Sequence, residues 1–472
     1  MRSAAVAAEY MVASSHPRAT RAGLAAFARG GNAADAALAA AAMLCVAEPM
    51  NCGPGGDAFA LVWNEGEVEV LDAAGPAPLD ARPLAPVDLR GSRSVTVPGA
   101  VAGWNSLAAR YGRLGFDRCL GDAITAAKDG IRLTPRMHAL WTAEDPCPEG
   151  FAPRKPMVGE RIRLPALART LHELADNGPD LIYRGALAER IAAASWLDRA
   201  DLECFAPRWR EPLCATYRGH QIYEAPPPTQ GVAALEAFRL LEPHRPSFRN
   251  QVWSVTLALD DAQRVVRDGA DVSELLDDGY LRRRSTERAA PLRGIDAGTS
   301  FVCAIDGDRM AVSLIQSLFG SFGSGVLVPD TGIILQNRGA WFALSGSVEP
   351  GRRPYHTIIP ALLAHRGELA GAFGVVGGSM QPQGHVQLIS GIIDEEMNPQ
   401  AVLDRGRFRV DASTVSLEED LWEQADELEG LGLRVVLDSD WIKFGAGQVI
   451  LVENGRLLGG SDRRMDGYAA GA

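Results

Sequence analysis

The sequence predicts an α+β protein built from stacked layers of helix and sheet. Three observations lead there. Strand-like and helix-like segments come in blocks rather than as a regular strand–helix alternation, which argues against a βαβ repeat. Helical patterns predominate before residue 299, and strands separated by Gly-rich turns predominate after it. Of the 472 residues 47% are hydrophobic and 22% charged, enough apolar material to bury a sizeable core.

The elements follow in order. Residues 4–13 read as a strand. Helices are expected over Thr20–Arg29 and Ala33–Val46, separated by Gly30-Gly31-Asn32, with Asn32 as N-cap of the second and Asp35 in its first turn. The apolar run from Ala36 to Ala47 is too short to span a bilayer and reads as a buried helix. Asn51 to Asp57 form a Gly/Pro loop. Strands Ala58–Trp63 and Glu67–Leu71 flank the turn Asn64-Glu65-Gly66, and Pro76–Pro86 is a proline-punctuated connector. A helical region runs from Pro98 to Tyr111, and further helices fit 117–129, 164–177, 185–194 and 230–242. Residues 142–162 read as a surface loop, and Pro226-Pro227-Pro228 as a stiff extended stop. Beyond Thr299, strands fit Phe301–Ile305, Met310–Gln316, Gly325–Leu327, Tyr355–Ala364, Gly371–Val376, Trp441–Val452 and Arg456–Gly459.

Charge and cysteine content narrow the function class. With 47 basic and 59 acidic residues the net charge is −12, which argues against a nucleic-acid or anionic-membrane partner. The run Arg282-Arg283-Arg284 is short and follows Asp277 and Asp278. The 7 cysteines are scattered with no Cys-x-x-Cys pair, so neither a disulfide framework nor a structural zinc site is expected. Reduced thiols and the lack of a basic segment leading into an apolar core at the N-terminus point to the cytoplasm. No metal or cofactor is expected, since no pair of histidines has ligand spacing.

The chemistry centres on the step Gly298-Thr299. A Gly-Thr pair is ordinarily a turn. Here a strand starts at once, and a Ser/Gly-rich stretch, Ser317 to Gly325, follows. Were the chain to cut itself before Thr299, that residue would carry both a hydroxyl nucleophile and an α-amine base. Gly377-Gly378, after the apolar run Phe373 to Val376, is either a tight turn or a nest of N–H groups able to hold an oxyanion. His16, His356 and His385 have no carboxylate nearby in sequence and read as structural or substrate-facing. No Gly-x-Ser-x-Gly elbow supports a Ser-His-Asp hydrolase.

Taken together, these segments resemble the γ-glutamyltransferase family of N-terminal-nucleophile (Ntn) hydrolases, in order along nearly the whole chain. The landmarks are Met11 to Pro17, Gly30 to Ala37, Gly53-Pro54-Gly55-Gly56-Asp57-Ala58-Phe59, Val97 to Gly103, Pro226 to Gly231, Thr299 to Asp306, and Gly377-Gly378. The resemblance implies a four-layer αββα sandwich. It implies a precursor cleaved at Gly298-Thr299 into a large chain, 1–298, and a small chain, 299–472, which stay together as one intertwined domain. A homodimer of such heterodimers is compatible with it. Thr299 falls on the family's nucleophile, Ser317 on a supporting threonine, and Gly377 and Gly378 on the oxyanion glycines. An α-amine with a pKa of about 7.7–8.0 is suited to general-base work near neutrality.

The departures concern the substrate. Ala74 stands where the family places an Arg for the glutamyl carboxylate, and Trp341 where it places an Asp for the ammonium. His356-Thr357 replace paired serines, and Phe319 replaces an Asn. Each lost ionic contact is worth roughly 1.5–3 kcal/mol. The sequence therefore predicts a hydrolase or acyltransferase for a small amide or acyl compound, similar to the bacterial branch that includes oxamate amidohydrolase. Pro76 and Gly445-Ala446-Gly447 depart from that branch too. Arg338 is either a carboxylate contact or half of a structural ion pair, with His356, Thr357, Trp341 and Phe319 around the substrate. Three alternatives compete: a glutathione hydrolase using other residues, a hydrolase of a carbon–carbon bond beside a carbonyl in an antibiotic pathway, and an unprocessed relative that only binds a ligand.

Overall fold

The computed structural model describes residues 3–81, 88–142, 147–153 and 155–472. Two antiparallel seven-stranded sheets form its centre. The first runs, in spatial order, Ala5–Ala7, Arg456–Ser461, Ala446–Glu453, Glu368–Val376, Ala361–His365, His220–Glu224 and Leu213–Tyr217. The second runs Tyr468–Gly471, Met11–Ser14, Gly298–Ile305, Ala311–Phe319, Asp57–Asn64, Glu67–Ala73 and Arg208–Arg210. The sheets pack face to face, with the Gly298–Ile305 and Ala311–Phe319 strands lying over Glu368–Val376. Helices cover both outer faces, giving the αββα order. Pro17–Ala28, Ala33–Ala47 and Ala100–Tyr111 lie on the second sheet, and Gly231–Leu241 and Met380–Ile393 on the first. Segments before and after residue 298 contribute strands to both sheets, so a break there would leave two interleaved chains. Among the described residues no helix is long and apolar enough to cross a membrane.

Local chemistry explains most of the elements that matter for the site. Asn32 caps the Ala33–Ala47 helix through a reciprocal box: its side chain accepts from the Ala34 and Asp35 N–H groups, while Asp35 accepts from the Asn32 N–H. Every residue of that helix is buried, as its unbroken apolar run demands. The preceding helix begins at Pro17 rather than Thr20, because the His16 ring caps it and Pro suits the first turn.

Several expected elements differ. The strand over 4–13 is two strands, one in each sheet, and the N–H groups of Ala8, Glu9 and Tyr10 between them donate to the Ala472 carbonyl. Only Ala361–His365 of the expected Tyr355–Ala364 strand pairs as one, and His356 makes a single bridge to Thr229. Trp441–Phe444 is a 3₁₀ turn ahead of the Ala446–Glu453 strand, and the Gly325–Leu327 strand is Leu327–Val328. The 142–162 loop contains Arg161–Ile162, paired with Ile131–Arg132, and part of it lies outside the described residues. The same holds for part of the Pro76–Pro86 connector.

Candidate active site

Thr299 is the second residue of its strand and is buried between the sheets, 1% exposed, with its Oγ1 making no hydrogen bond within the protein. Pairing with the Ala311–Phe319 strand is irregular here: Gly298 faces Phe319 and Ser300 faces Gln316, so Thr299 stands opposite a bulge formed by Ser317 and Leu318. A bulge re-aims a side chain and removes local ladder bonds. The Ser317 hydroxyl donates to the Gly298 carbonyl at 2.6 Å and accepts from the Phe319 N–H at 2.7 Å. The carbonyl of the expected scissile peptide is thus already hydrogen-bonded, beside an unengaged hydroxyl.

Gly377 and Gly378 come from the other sheet, at the end of the Glu368–Val376 strand and just before the Met380–Ile393 helix. Both have positive φ, 118° and 62°. A Cβ on Gly378 would overlap the Ile295 carbonyl, so this turn touches the segment that leads into Gly298. The Ile295 carbonyl accepts from the Ser379 N–H at 2.9 Å. In the uncut chain residues 295–298 therefore run alongside the glycine turn.

The remaining candidates converge on the same place. Phe319, at φ 77°, stacks its ring edge-to-face with Trp341 (centroids 5.4 Å apart) and lies 4.6 Å from the Arg338 guanidinium carbon. Arg338 is buried. Its Nη1 donates to Thr357 Oγ1 at 3.1 Å, while its Nε and Nη2 find no protein acceptor. No carboxylate pairs with it within 4 Å among the described residues, so it is not half of a close ion pair. Burial lowers its pKa to about 10, against the opposing pull of Asp57. His356 is buried with both ring nitrogens unbonded, its Nε2 3.6 Å from Asp57 Oδ2. Burial, helped by Arg338 and Arg353, lowers its pKa well below the ordinary value and keeps it neutral at pH 7.

Four side chains that sequence reasoning passed over complete the site. Asp57 accepts from the Gly75 and Gly99 N–H groups through Oδ1, and its Oδ2 is unpartnered. Burial raises its pKa to about 7 despite Arg338. Gln230 bridges the glycine turn and the Thr357 segment, donating to the carbonyls of Gly378 at 2.9 Å and Thr357 at 2.7 Å. Asn51 lies against Gly298, and Glu48 lies behind Ser300. Asp57 and Gln230 stood inside the landmark runs and Asn51 at the start of the Gly/Pro loop, which was the available signal; nothing local marked Glu48.

The histidines find partners distant in sequence. His356 gains Asp57 from far away in sequence, and His385 pairs with Glu224 at 2.6 Å, so both have carboxylate neighbours. His16 caps a helix, and burial holds its pKa at about 4. The Ala74 carbonyl accepts from Arg353 Nε at 2.8 Å, and Arg353 lies 3.8 Å from buried Asp72.

Comparison with known proteins bears on the family and the fold. The family model described as gamma-glutamyltranspeptidase matches residues 19–472. The chain is 31% identical to the glutathione hydrolase-like YwrD proenzyme of Bacillus subtilis (strain 168), over 100% of both chains. It is likewise 31% identical to the oxamate amidohydrolase proenzyme of Klebsiella pneumoniae subsp. pneumoniae, again over 100% of both. The solved structure of cephalosporin acylase from Bacillus halodurans superposes with a TM-score of 0.94 at 36% identity, covering 100% of this chain and 97% of that one. The chain belongs to the gamma-glutamyltranspeptidase family and is an Ntn-type amidohydrolase or acyltransferase.

Proposed function

We propose that the chain cleaves itself between Gly298 and Thr299 and then hydrolyses a small amide whose acyl half carries a carboxylate and is not γ-glutamyl. The observation that carries this reading is the Ser317 hydroxyl on the Gly298 carbonyl, beside the free Thr299 hydroxyl. In processing, Thr299 Oγ attacks the Gly298 carbonyl carbon, with Ser317 donating to the oxygen as it gains charge. The C–N bond breaks, an ester links Gly298 to Thr299 Oγ, and water hydrolyses it. The products are a large chain, 1–298, and a small chain, 299–472, that stay associated through their shared sheets.

In turnover the freed α-amine takes the Thr299 hydroxyl proton as Oγ attacks the substrate carbonyl, then passes it to the leaving amine. Gly377 and Gly378 supply N–H groups to the oxyanion once residues 295–298 have withdrawn. Water resolves the acyl-enzyme and restores Thr299. Arg338, with two unpartnered donor positions in a buried setting, suits an acyl carboxylate. Phe319, Trp341, His356 and Thr357 wall that seat. A γ-glutamyl group fits less well, since its ammonium would meet Trp341 and the neutral His356. The relatives' names span glutathione hydrolase-like, oxamate amidohydrolase and cephalosporin acylase, and the Arg338 seat favours the second kind. Cysteines scattered through the fold, with no disulfide among the described residues, support a cytoplasmic setting.

The test is turnover of γ-glutamyl anilide against oxamate and short dicarboxylic monoamides, read by mass spectrometry, with Thr299→Ala as control. Carboxylate-bearing amides should be preferred and the variant inert. Preference for the γ-glutamyl substrate, or activity in Thr299→Ala, would overturn the proposal.

A further inference from the structure

Glu48 is a carboxyl group in an unfavourable place. It caps the C-terminal end of the Ala33–Ala47 helix, where the helix dipole already presents negative charge. It is fully buried. Its Oε2 accepts from the Ser300 hydroxyl and, at 3.5 Å, from Asn51 Nδ2, while Oε1 has no hydrogen-bond partner. Among the described residues no Arg, Lys or His pairs with it. The charged group that bears on it from the C-terminal segment is another acid, Asp466, which is itself held by Thr134 and faces Arg136. A buried carboxylate without a cation is costly, and native proteins ordinarily pair or neutralise it.

The two groups that Glu48 holds flank one peptide bond. Ser300 follows Thr299. Asn51 Oδ1 comes within 2.7 Å of where a Cβ on Gly298 would stand, and the Gly298 Cα is two bonds from the Thr299 nitrogen. Asn51 is fixed from both sides, its N–H donating to the Glu48 carbonyl at 2.9 Å and its carbonyl accepting from the Leu318 N–H at 2.7 Å. Cleavage before Thr299 would place a new amine, a group able to become a cation, at this point.

We propose that Glu48 is the counter-ion of the Thr299 α-amine, with Asn51 and Ser300 as the groups through which it positions that amine. This rests on the cleavage proposed above. Glu48 accepts from Asn51 Nδ2 and so turns Asn51 Oδ1 toward the amine. One amine N–H is then committed to Oδ1, which leaves the lone pair directed to the Thr299 hydroxyl. Glu48 touches neither substrate nor nucleophile; it is a positioning residue. In the uncut chain burial lifts its pKa to about 7, with Ser300, Ser15 and Asn51 opposing and Asp466 assisting. An ammonium close by would favour its ionised form, and the ionised form would in turn raise the amine's pKa.

The experiment reads the amine directly. Mature wild-type, Glu48→Gln and Asn51→Ala proteins are pulse-labelled with acetic anhydride across pH 5–10. Acetylation of the Thr299 α-nitrogen is then quantified by peptide mass spectrometry. The midpoint in Glu48→Gln should fall by about one unit, at the low end of the shift produced by an opposite charge a few ångströms away. The acid limb of the rate profile should move with it. Glu48→Gln retains an acceptor for Ser300 and Asn51, so a packing role alone would not move the midpoint. Asn51→Ala should lower the midpoint less and depress kcat more than KM changes. Unchanged midpoints in both variants, with wild type cleaved at Thr299, would overturn the Glu48 assignment while leaving the cleavage reading intact. A wild-type chain with no Thr299 N-terminus would overturn both.

Discussion

Ser317→Ala should slow self-cleavage sharply without unfolding the protein. The Ser317 hydroxyl makes two short bonds, 2.6 Å to the Gly298 carbonyl and 2.7 Å from the Phe319 N–H. The first bears on the oxygen that would gain negative charge when Thr299 attacks. Removing one preorganised donor from a developing oxyanion costs about 2.7–4 kcal/mol, or roughly 10²–10³ in rate. The second bond, once lost, leaves a buried N–H unpaired, at about 1–3 kcal/mol of stability. The assay is pulse-chase translation in vitro, following the full-length chain as it divides. Wild type, Ser317→Thr and Ser317→Ala are compared, with circular dichroism reporting the fold. Ser317→Thr keeps the hydroxyl and should process within a few-fold of wild type. If folded Ser317→Ala divides at the wild-type rate, the hydrogen bond at Gly298 has no part in the chemistry and the processing scheme fails.

Other consequences can be checked separately. Arg338→Gln should lower kcat/KM for carboxylate-bearing amides by about 10- to 150-fold, the worth of a charged hydrogen bond at roughly 1.5–3 kcal/mol, while neutral acyl amides change little; equal losses on both would remove Arg338 from the acyl seat. Gly378→Ala should abolish turnover, because its φ of 62° strains any L side chain and, before residues 295–298 withdraw, the Ile295 carbonyl leaves no room for a Cβ; wild-type kcat in this variant would exclude the turn from the oxyanion site. Asp57 is raised by burial from 3.8 to about 7, so the folded state holds its proton more tightly than the unfolded one. Stability of the uncut Thr299→Ala chain should accordingly fall as pH rises from about 4 to about 7, by on the order of 4 kcal/mol from this group, with Glu48 acting in the same direction. Urea unfolding of Thr299→Ala with and without Asp57→Asn reads this, and an unchanged pH slope in the double variant would refute it.

The sequence was most legible where local chemistry decides structure. The Asn32 cap, the fully buried Ala-rich helix and the strand opening at Thr299 follow from neighbouring residues alone. Two helices did not: Met380–Ile393, which follows the glycine turn, and Phe248–Val265, which packs on it and on Gly231–Leu241. Met380–Ile393 starts with Met-Gln-Pro-Gln-Gly-His, a poor helical sequence by propensity. Pro382 is tolerated because it lies in the first turn. Gly384 is needed because a Cβ there would come within 2.6 Å of Val375, so packing against the sheet overrides propensity. Phe248–Val265 hides its periodicity behind buried polar positions: Asp261 faces inward to meet Arg284 and Tyr280. Such pairs are long-range and leave no local mark. The same reason separates the legible half of the site from the rest. Thr299, Ser317 and the glycine pair stood out by their setting or resemblance, whereas the contacts of Glu48 with Ser300 and of Asp57 with His356 exist only once the sheets have formed.

All of this chemistry requires Thr299 to become an N-terminus. Intact-mass measurement of the purified protein, followed by N-terminal sequencing of the smaller species, tests it most directly. The expected result is two chains that co-purify under native conditions, one ending at Gly298 and the other beginning Thr299-Ser300-Phe301, and a single chain for Thr299→Ala. A wild-type protein that stays a single 472-residue chain for days at neutral pH, or that divides at another bond, would contradict it.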